Sequence, residues 1–125
     1  GRLEGIVTGP LLTDRSKPEL KRADIRNPAI LAAAGLPVAI MTDHPVTPLQ
    51  YLPVTAAVAV REGMDEWAAL EAITIVPARI LGVADRVGSL APGKDADVVV
   101  MTGHPFLVSS RVRMTLVSGQ PAYEA

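Results

Sequence analysis

Residues 38–48 read VAIMTDHPVTP, an apolar run that stops at an acid, a histidine and a proline. A carboxylate placed directly after a buried strand, as Asp43 is here, can ligate a hard or borderline cation or take a proton from a metal-bound water. The same aspartate can instead do no more than cap the turn that runs through Pro45 and Pro48, as Asp commonly does. His44 follows at once. Neighbouring residues on a strand point to opposite faces, so both side chains reach one site only if the backbone has left the strand by Pro45. A hydrogen bond to substrate and an uninvolved loop position are both open for His44. The second histidine, His104 in TGHPF, stands between two strands of the C-terminal region, where an exposed turn residue without a chemical role is expected. Asp14, Arg15 and Lys17 in TDRSKPELKR follow another apolar segment and fall on the same edge as Asp43; contact with substrate is one reading and a solvated charged face the other. APGKDAD contains Gly93 and Lys94 but lacks the spacing of a phosphate loop and precedes a strand rather than a helix, so it reads as a structural hairpin.

The elements that must position Asp43 follow from the flanking pattern. GIVTGPLL, residues 5–12, is β-branched and apolar, with Gly9-Pro10 marking an irregular strand end. NPAILAAAG offers Asn27 as N-cap, Pro28 in the first turn and Gly35 as the stop of a short helix. LPVAIMT, residues 36–42, is apolar without alternation, as expected of a parallel strand covered on both faces. Strand, loop, helix and strand over residues 5–42 make one βαβ unit. Three helical pieces are then expected. The first, within QYLPVTAAVAVREGM, is apolar almost all round and stops at Gly63; the second begins near Asp65 and Glu66, with Trp67, Leu70 and Ile73 on one face; the third runs from Pro77 to Gly82. After about residue 84 the pattern changes to short strands and tight turns. RVGSL is expected to meet ADVVVM across Pro92-Gly93, and VRMTLV alternates cleanly before Ser118-Gly119 turns the chain back. The fold class is therefore α/β followed by antiparallel β, divided into residues 1–84 and 85–125.

Composition narrows the function classes. The 125 residues are 49% hydrophobic but only 3% aromatic, so the core has to be built from Ala, Val, Leu and Ile. A net charge of −1 from 12 basic and 13 acidic residues gives no electrostatic reason to expect nucleic acid or an anionic membrane. Cysteine is absent, which removes disulfides and thiolate metal sites. GRLEG at the start has no apolar signal core, and no stretch approaches the roughly 20 apolar residues of a membrane span. A cytoplasmic setting is the expectation.

Taken together, AGLPVAIMTDHP, AVREGMDEWAALEAITIVPARILGV and VGSLAPGKDADVVVMTGHPF resemble the C-terminal portion of the amidohydrolase superfamily, specifically its imidazolonepropionase-like members. The second stretch is similar to the family's paired helices ending in Thr-x-x-Pro-Ala and Leu-Gly. The third is similar to its Gly-x-Leu-x-x-Gly-Lys-x-Ala-Asp hairpin, here Gly88, Leu90, Gly93, Lys94, Ala96 and Asp97. The resemblance implies the last part of a metal-dependent (β/α)₈ barrel, followed by the C-terminal share of a small β-sandwich. It implies for Asp43 the aspartate at the end of the eighth barrel strand, a metal ligand that also shuttles the proton of the attacking water. For His44 it leaves a substrate contact. Lys94 and Asp97 inherit only a structural role.

The resemblance also implies what is not in these residues. The family's His-x-His pair and its middle-strand ligands have no counterpart, since the two histidines stand sixty positions apart. A catalytic metal needs about three protein ligands, and a complete barrel about 250 residues. The chain is thus expected to be a fragment of a larger enzyme and inactive alone. The parent is expected to hydrolyse a C–N bond of a small, cyclic-amide-like substrate with water activated by a divalent metal, zinc first among the candidates. Its partners are the substrate and the remainder of its own barrel, and unpaired strand edges point to self-association as a homo-oligomer. The competing readings are a stand-alone, non-catalytic α/β binding module, and a deaminase or dipeptidase of the same superfamily.

Overall fold

The computed structural model describes residues 4–125; Gly1, Arg2 and Leu3, the start of the first expected region, lie outside the described residues. Strand β1 (Ile6–Thr8) and strand β2 (Val38–Ile40) pair in parallel, with Ile6 opposite Val38 and Thr8 opposite Ile40. Val38, Ala39 and Ile40 are all buried, which is why their run shows no alternation. On the edge of β2 away from β1, the Ile40 N–H donates to the Ala72 carbonyl at 2.9 Å.

Helix α1 (Asn27–Ala33) joins the two strands as expected, but Asn27 is its first helical residue rather than its cap. Asp24 takes over the entry: its carboxylate accepts the Arg26 N–H at 2.9 Å and its carbonyl the Asn27 N–H at 3.0 Å. The charged run before it is not all loop, since Pro18–Arg22 winds into a 3₁₀ turn. Three helices follow β2, namely α2 (Leu52–Arg61), α3 (Glu66–Glu71) and α4 (Ile75–Ile80). Asp65 caps α3 by accepting the Ala68 N–H at 2.9 Å.

The core joins Leu11, Val38 and Ile40 to Ala56, Ala59, Met64, Ala69 and Ala72. Small alanines let α2 and α3 approach closely. They also shift the expected face of α3 in part: Ala69 and Ala72 are buried, Leu70 is half-buried and Ile73 packs against the core, while Trp67 is 68% exposed and packs on nothing in this core. No helix among the described residues is long and apolar enough to cross a membrane.

The C-terminal region is a three-stranded antiparallel sheet of β3 (Val98–Met101), β4 (Val112–Val117) and β5 (Gln120–Glu124) in that order. Strand β4 and the turn at Ser118-Gly119 match the sequence reading. The expected pairing of residues 86–90 with 96–101 does not form; β3 pairs with β4 instead, Val98 opposite Leu116. Residues 86–90 are drawn elsewhere. Gly88, at φ +87°, lies so close to α4 that a Cβ there would stand 2.8 Å from Ala78 Cβ. Lys94 Nζ reaches back to the carbonyls of Ala84 and Val87 and to Ser89 Oγ. Gly93 takes the positive φ, +87°, that the turn requires. Asp97 accepts the Ser118 N–H at 2.8 Å and so ties this loop to the β4–β5 turn. Every polar member of the hairpin motif thus has a structural partner.

Candidate active site

The carboxyl ends of β1 and β2 lie side by side, and the loops that leave them form one edge. Gly9 makes this approach possible. A Cβ on it would lie 2.1 Å from the Met41 carbonyl oxygen, and its φ of +142° is one that side chains rarely adopt. Met41 N–H meanwhile donates to the Thr8 carbonyl at 3.0 Å, so the two strand ends are held by a hydrogen bond and by direct backbone contact.

Asp43 follows two residues later and has left the strand. Its φ of +52° is left-handed, a conformation tolerated by Asp better than by most residues. The turn is closed by backbone, not by the Asp43 side chain: Val46 N–H donates to the Asp43 carbonyl at 2.8 Å and Thr47 N–H to the Thr42 carbonyl at 3.2 Å. Buried Thr47 sends its hydroxyl to the Leu12 carbonyl at 2.8 Å, bolting the loop after β2 to the loop after β1. The carboxylate of Asp43 is exposed, and among the described residues it makes no hydrogen bond and no ion pair. The side-chain turn cap that the sequence left open is therefore not what this residue does.

His44 has one committed nitrogen. Its Nδ1 accepts the N–H of Leu49 at 3.3 Å, where a 3₁₀ turn (Leu49–Tyr51) begins ahead of α2. In the neutral ring the proton then sits on Nε2, which is left as a donor on an exposed residue. Of the remaining candidates on this edge, only Asp14 is held by a neighbour. Asp14 accepts the Ser16 N–H at 3.0 Å, which lowers its carboxyl below the usual range. The Arg26 guanidinium, helped by the Arg26 N–H, pulls Asp24 down to about 2. Arg15 and Lys17 are exposed. A cavity of about 70 Å³ opens between the loop after β1 and the start of α1, edged by Thr8, Gly9, Arg15 and Asn27.

Among the described residues no three His, Cys, Asp or Glu side chains gather where they could hold a metal. Asp43 suits a cation as a single oxygen donor, unengaged and at the carboxyl end of a buried strand; among the described residues a complete donor set is not present. The sequence reading singled out Asp43 and His44, and the structure places them on the loop that leaves β2; it assigned no role to Gly9 or Thr47, which set the position of that loop. Gly9-Pro10 at a strand end was the available signal for the first. Thr47 carried none.

Residues 5–122 match the model of the amidohydrolase family. Among curated proteins, the imidazolonepropionase of Geobacillus kaustophilus (strain HTA426) is 43% identical over 83 residues, 64% of this chain and 19% of that protein. Among solved structures, an amidohydrolase from Thermotoga maritima MSB8 superposes with a TM-score of 0.93 at 45% identity, covering 97% of this chain and 32% of that one. An adenosine deaminase from Xanthomonas campestris with bound Zn superposes with a TM-score of 0.57 at 27% identity, covering 75% of this chain and 27% of that one. The chain spans between 9% and 24% of the length of the curated relatives it matches.

Proposed function

The chain belongs to the amidohydrolase family, and on that premise we propose that it brings Asp43 to the active site of a metal-dependent hydrolase that cleaves a C–N bond in a small, cyclic-amide-like substrate. In this reading β2 is the last strand of a (β/α)₈ barrel, residues 85–125 are one share of a small sandwich, and the remaining metal ligands come from barrel strands other than β1 and β2. The reading is supported by 43% identity to an imidazolonepropionase and by close superposition on the Thermotoga amidohydrolase. The observation that carries it is the Asp43 carboxylate: left-handed backbone, exposed, at the carboxyl edge of a buried parallel strand, with the turn built so that this side chain is left unengaged.

A divalent ion, zinc on the example of the Xanthomonas deaminase, supplies when bound a water acidic enough to attack at neutral pH. What this chain contributes is an oxygen donor and a proton acceptor. Asp43 takes the proton of the attacking water on a carboxylate oxygen and releases it to the departing nitrogen, acting first as base and then as acid. His44 Nε2–H, its orientation held by the Leu49 contact on the other nitrogen, donates to a substrate carbonyl. A deamination is the second reading, favoured by the zinc-bound neighbour; it also breaks a C–N bond with water and uses Asp43 in the same way.

Substitution Asp43→Asn in the full-length enzyme tests the assignment. The shape is kept, whereas the negative charge and basicity are lost, so kcat should fall by at least the roughly 10²–10⁴ of general base catalysis with the melting temperature little changed. His44→Asn should chiefly raise KM. Near wild-type kcat in folded, metal-loaded Asp43→Asn enzyme would refute the catalytic role of Asp43.

A further inference from the structure

His104, expected to be an idle turn residue, has both ring nitrogens engaged. Its Nε2 lies 3.1 Å from Glu66 Oε1 on the first turn of α3. Its Nδ1 accepts the N–H of Phe106 at 3.3 Å, and its backbone carbonyl accepts the Ser110 hydroxyl at 2.6 Å and the Leu107 N–H at 3.0 Å. The ring stands edge-on to Phe106, centroids 5.0 Å apart at 75°. Phe106 in turn packs against the apolar core. Among the described residues, His104–Glu66 is the one contact between a basic and an acidic side chain that joins the α1–α4 region to the residues after 84.

The two nitrogens make different demands. A nitrogen that accepts an N–H carries no proton, so in the neutral ring the proton is on Nε2, where it donates to the Glu66 carboxylate. A second proton can only go to Nδ1, which would then face the Phe106 N–H donor against donor. Protonation therefore keeps the Glu66 contact, with added charge, and dismantles the Phe106 contact. Helix α3 presents only acids: Glu66 itself, Asp65, whose carboxylate is held by the Ala68 N–H, and Glu71. The core residues around Phe106 are uncharged. On the loop side Arg111, at the start of β4, is exposed.

We propose that His104 is a positioning residue that clasps the β3–β4 loop onto α3 as its neutral Nε2–H tautomer, and that acidification releases the Phe106 end of the clasp while the Glu66 end stays closed. The consequence is a loop whose ordering, and with it the seating of Phe106 on the core, depends on whether the His104 ring carries one proton or two.

Amide hydrogen exchange at Phe106 in the full-length enzyme, corrected for the intrinsic pH dependence of exchange, tests this between about pH 8 and pH 5. Wild-type protection should fall roughly fivefold on acidification, the loss of one hydrogen bond. In His104→Asn the shorter amide places Oδ1 where Nδ1 was and cannot titrate, so protection should persist at both pH values. In His104→Gln the amide N–H can still reach Glu66, but its Oε1 lies one bond beyond the position of Nδ1, so the acceptor for Phe106 is displaced and protection should be low at both. Wild-type protection that ignores pH would overturn the proposal, as would His104→Gln protection equal to that of the wild type.

Discussion

Replacing Gly9 with alanine places a methyl group where the Met41 backbone now lies. The new Cβ would stand 2.1 Å from the Met41 carbonyl oxygen and 3.1 Å from its carbonyl carbon. Both are backbone atoms, so no side-chain rotation relieves the overlap. Comfortable contact begins near about 3.5 Å, so the ends of β1 and β2 must part by more than about 1 Å. The φ of +142° adds strain that an L side chain does not tolerate, about 1–3 kcal/mol at a position held this firmly. The displacement falls on Met41, two residues before Asp43, and on the Met41–Thr8 hydrogen bond that fixes the pair. On the catalytic role proposed for Asp43, a misplacement of about 1 Å there is worth up to roughly 10² in rate. Gly9→Ala in the full-length enzyme should therefore lose stability in that range by denaturant unfolding and lose kcat by more than the stability change explains, since the folded fraction at assay temperature still dominates. Gly9→Ala with unfolding within about 0.5 kcal/mol of wild type and unchanged kcat would show that the strand ends yield freely, and the argument that Gly9 sets the position of Asp43 would fail.

Three further outcomes are expected. Lys94→Met keeps the aliphatic stem but deletes the donor to Ala84, Val87 and Ser89; it should cost about 1–3 kcal/mol in denaturant unfolding, and an unchanged midpoint would show those contacts to be idle. Asp24, lowered from 3.8 to about 2 by Arg26, contributes its share of stability in full above the ordinary carboxylate value and loses it as pH falls from there toward 2. Asp24→Asn should therefore lower stability slightly at neutral pH and converge with the wild type below about pH 2, flattening the acid limb of a stability–pH curve, a small effect because the pair is exposed; an identical acid limb in the variant would refute it. Calorimetry of this 125-residue chain alone with Zn²⁺ should show only weak binding, since no three donors gather among the described residues; a tight one-to-one site would overturn the single-donor reading of Asp43.

Where local chemistry decides, the sequence was sufficient. Unbroken apolar character at Val38–Ile40 placed a doubly covered strand, and it put Asp43 at that strand's carboxyl end. Strict alternation over Val112–Val117, with Ser118-Gly119 after it, placed β4 and its turn because a period of two admits one pleated reading. Glycines at 35, 63 and 82 marked the ends of α1, α2 and α4 through the positive φ that each adopts. Contacts between segments distant in the chain were settled only by the fold. Spacing put Trp67 on an apolar face of α3, yet which face is buried depends on how closely the neighbours come, and alanines at 69 and 72 come closest. Turn signals at Pro92-Gly93 were real, but the ladder went from β3 to β4, since Gly88 is packed on α4 and Lys94 occupies the carbonyls of its own loop. Asp43 being unengaged, Thr47 fastening two loops and His104 reaching Glu66 are facts about partners, and periodicity records which side of an element is apolar, never what stands opposite it.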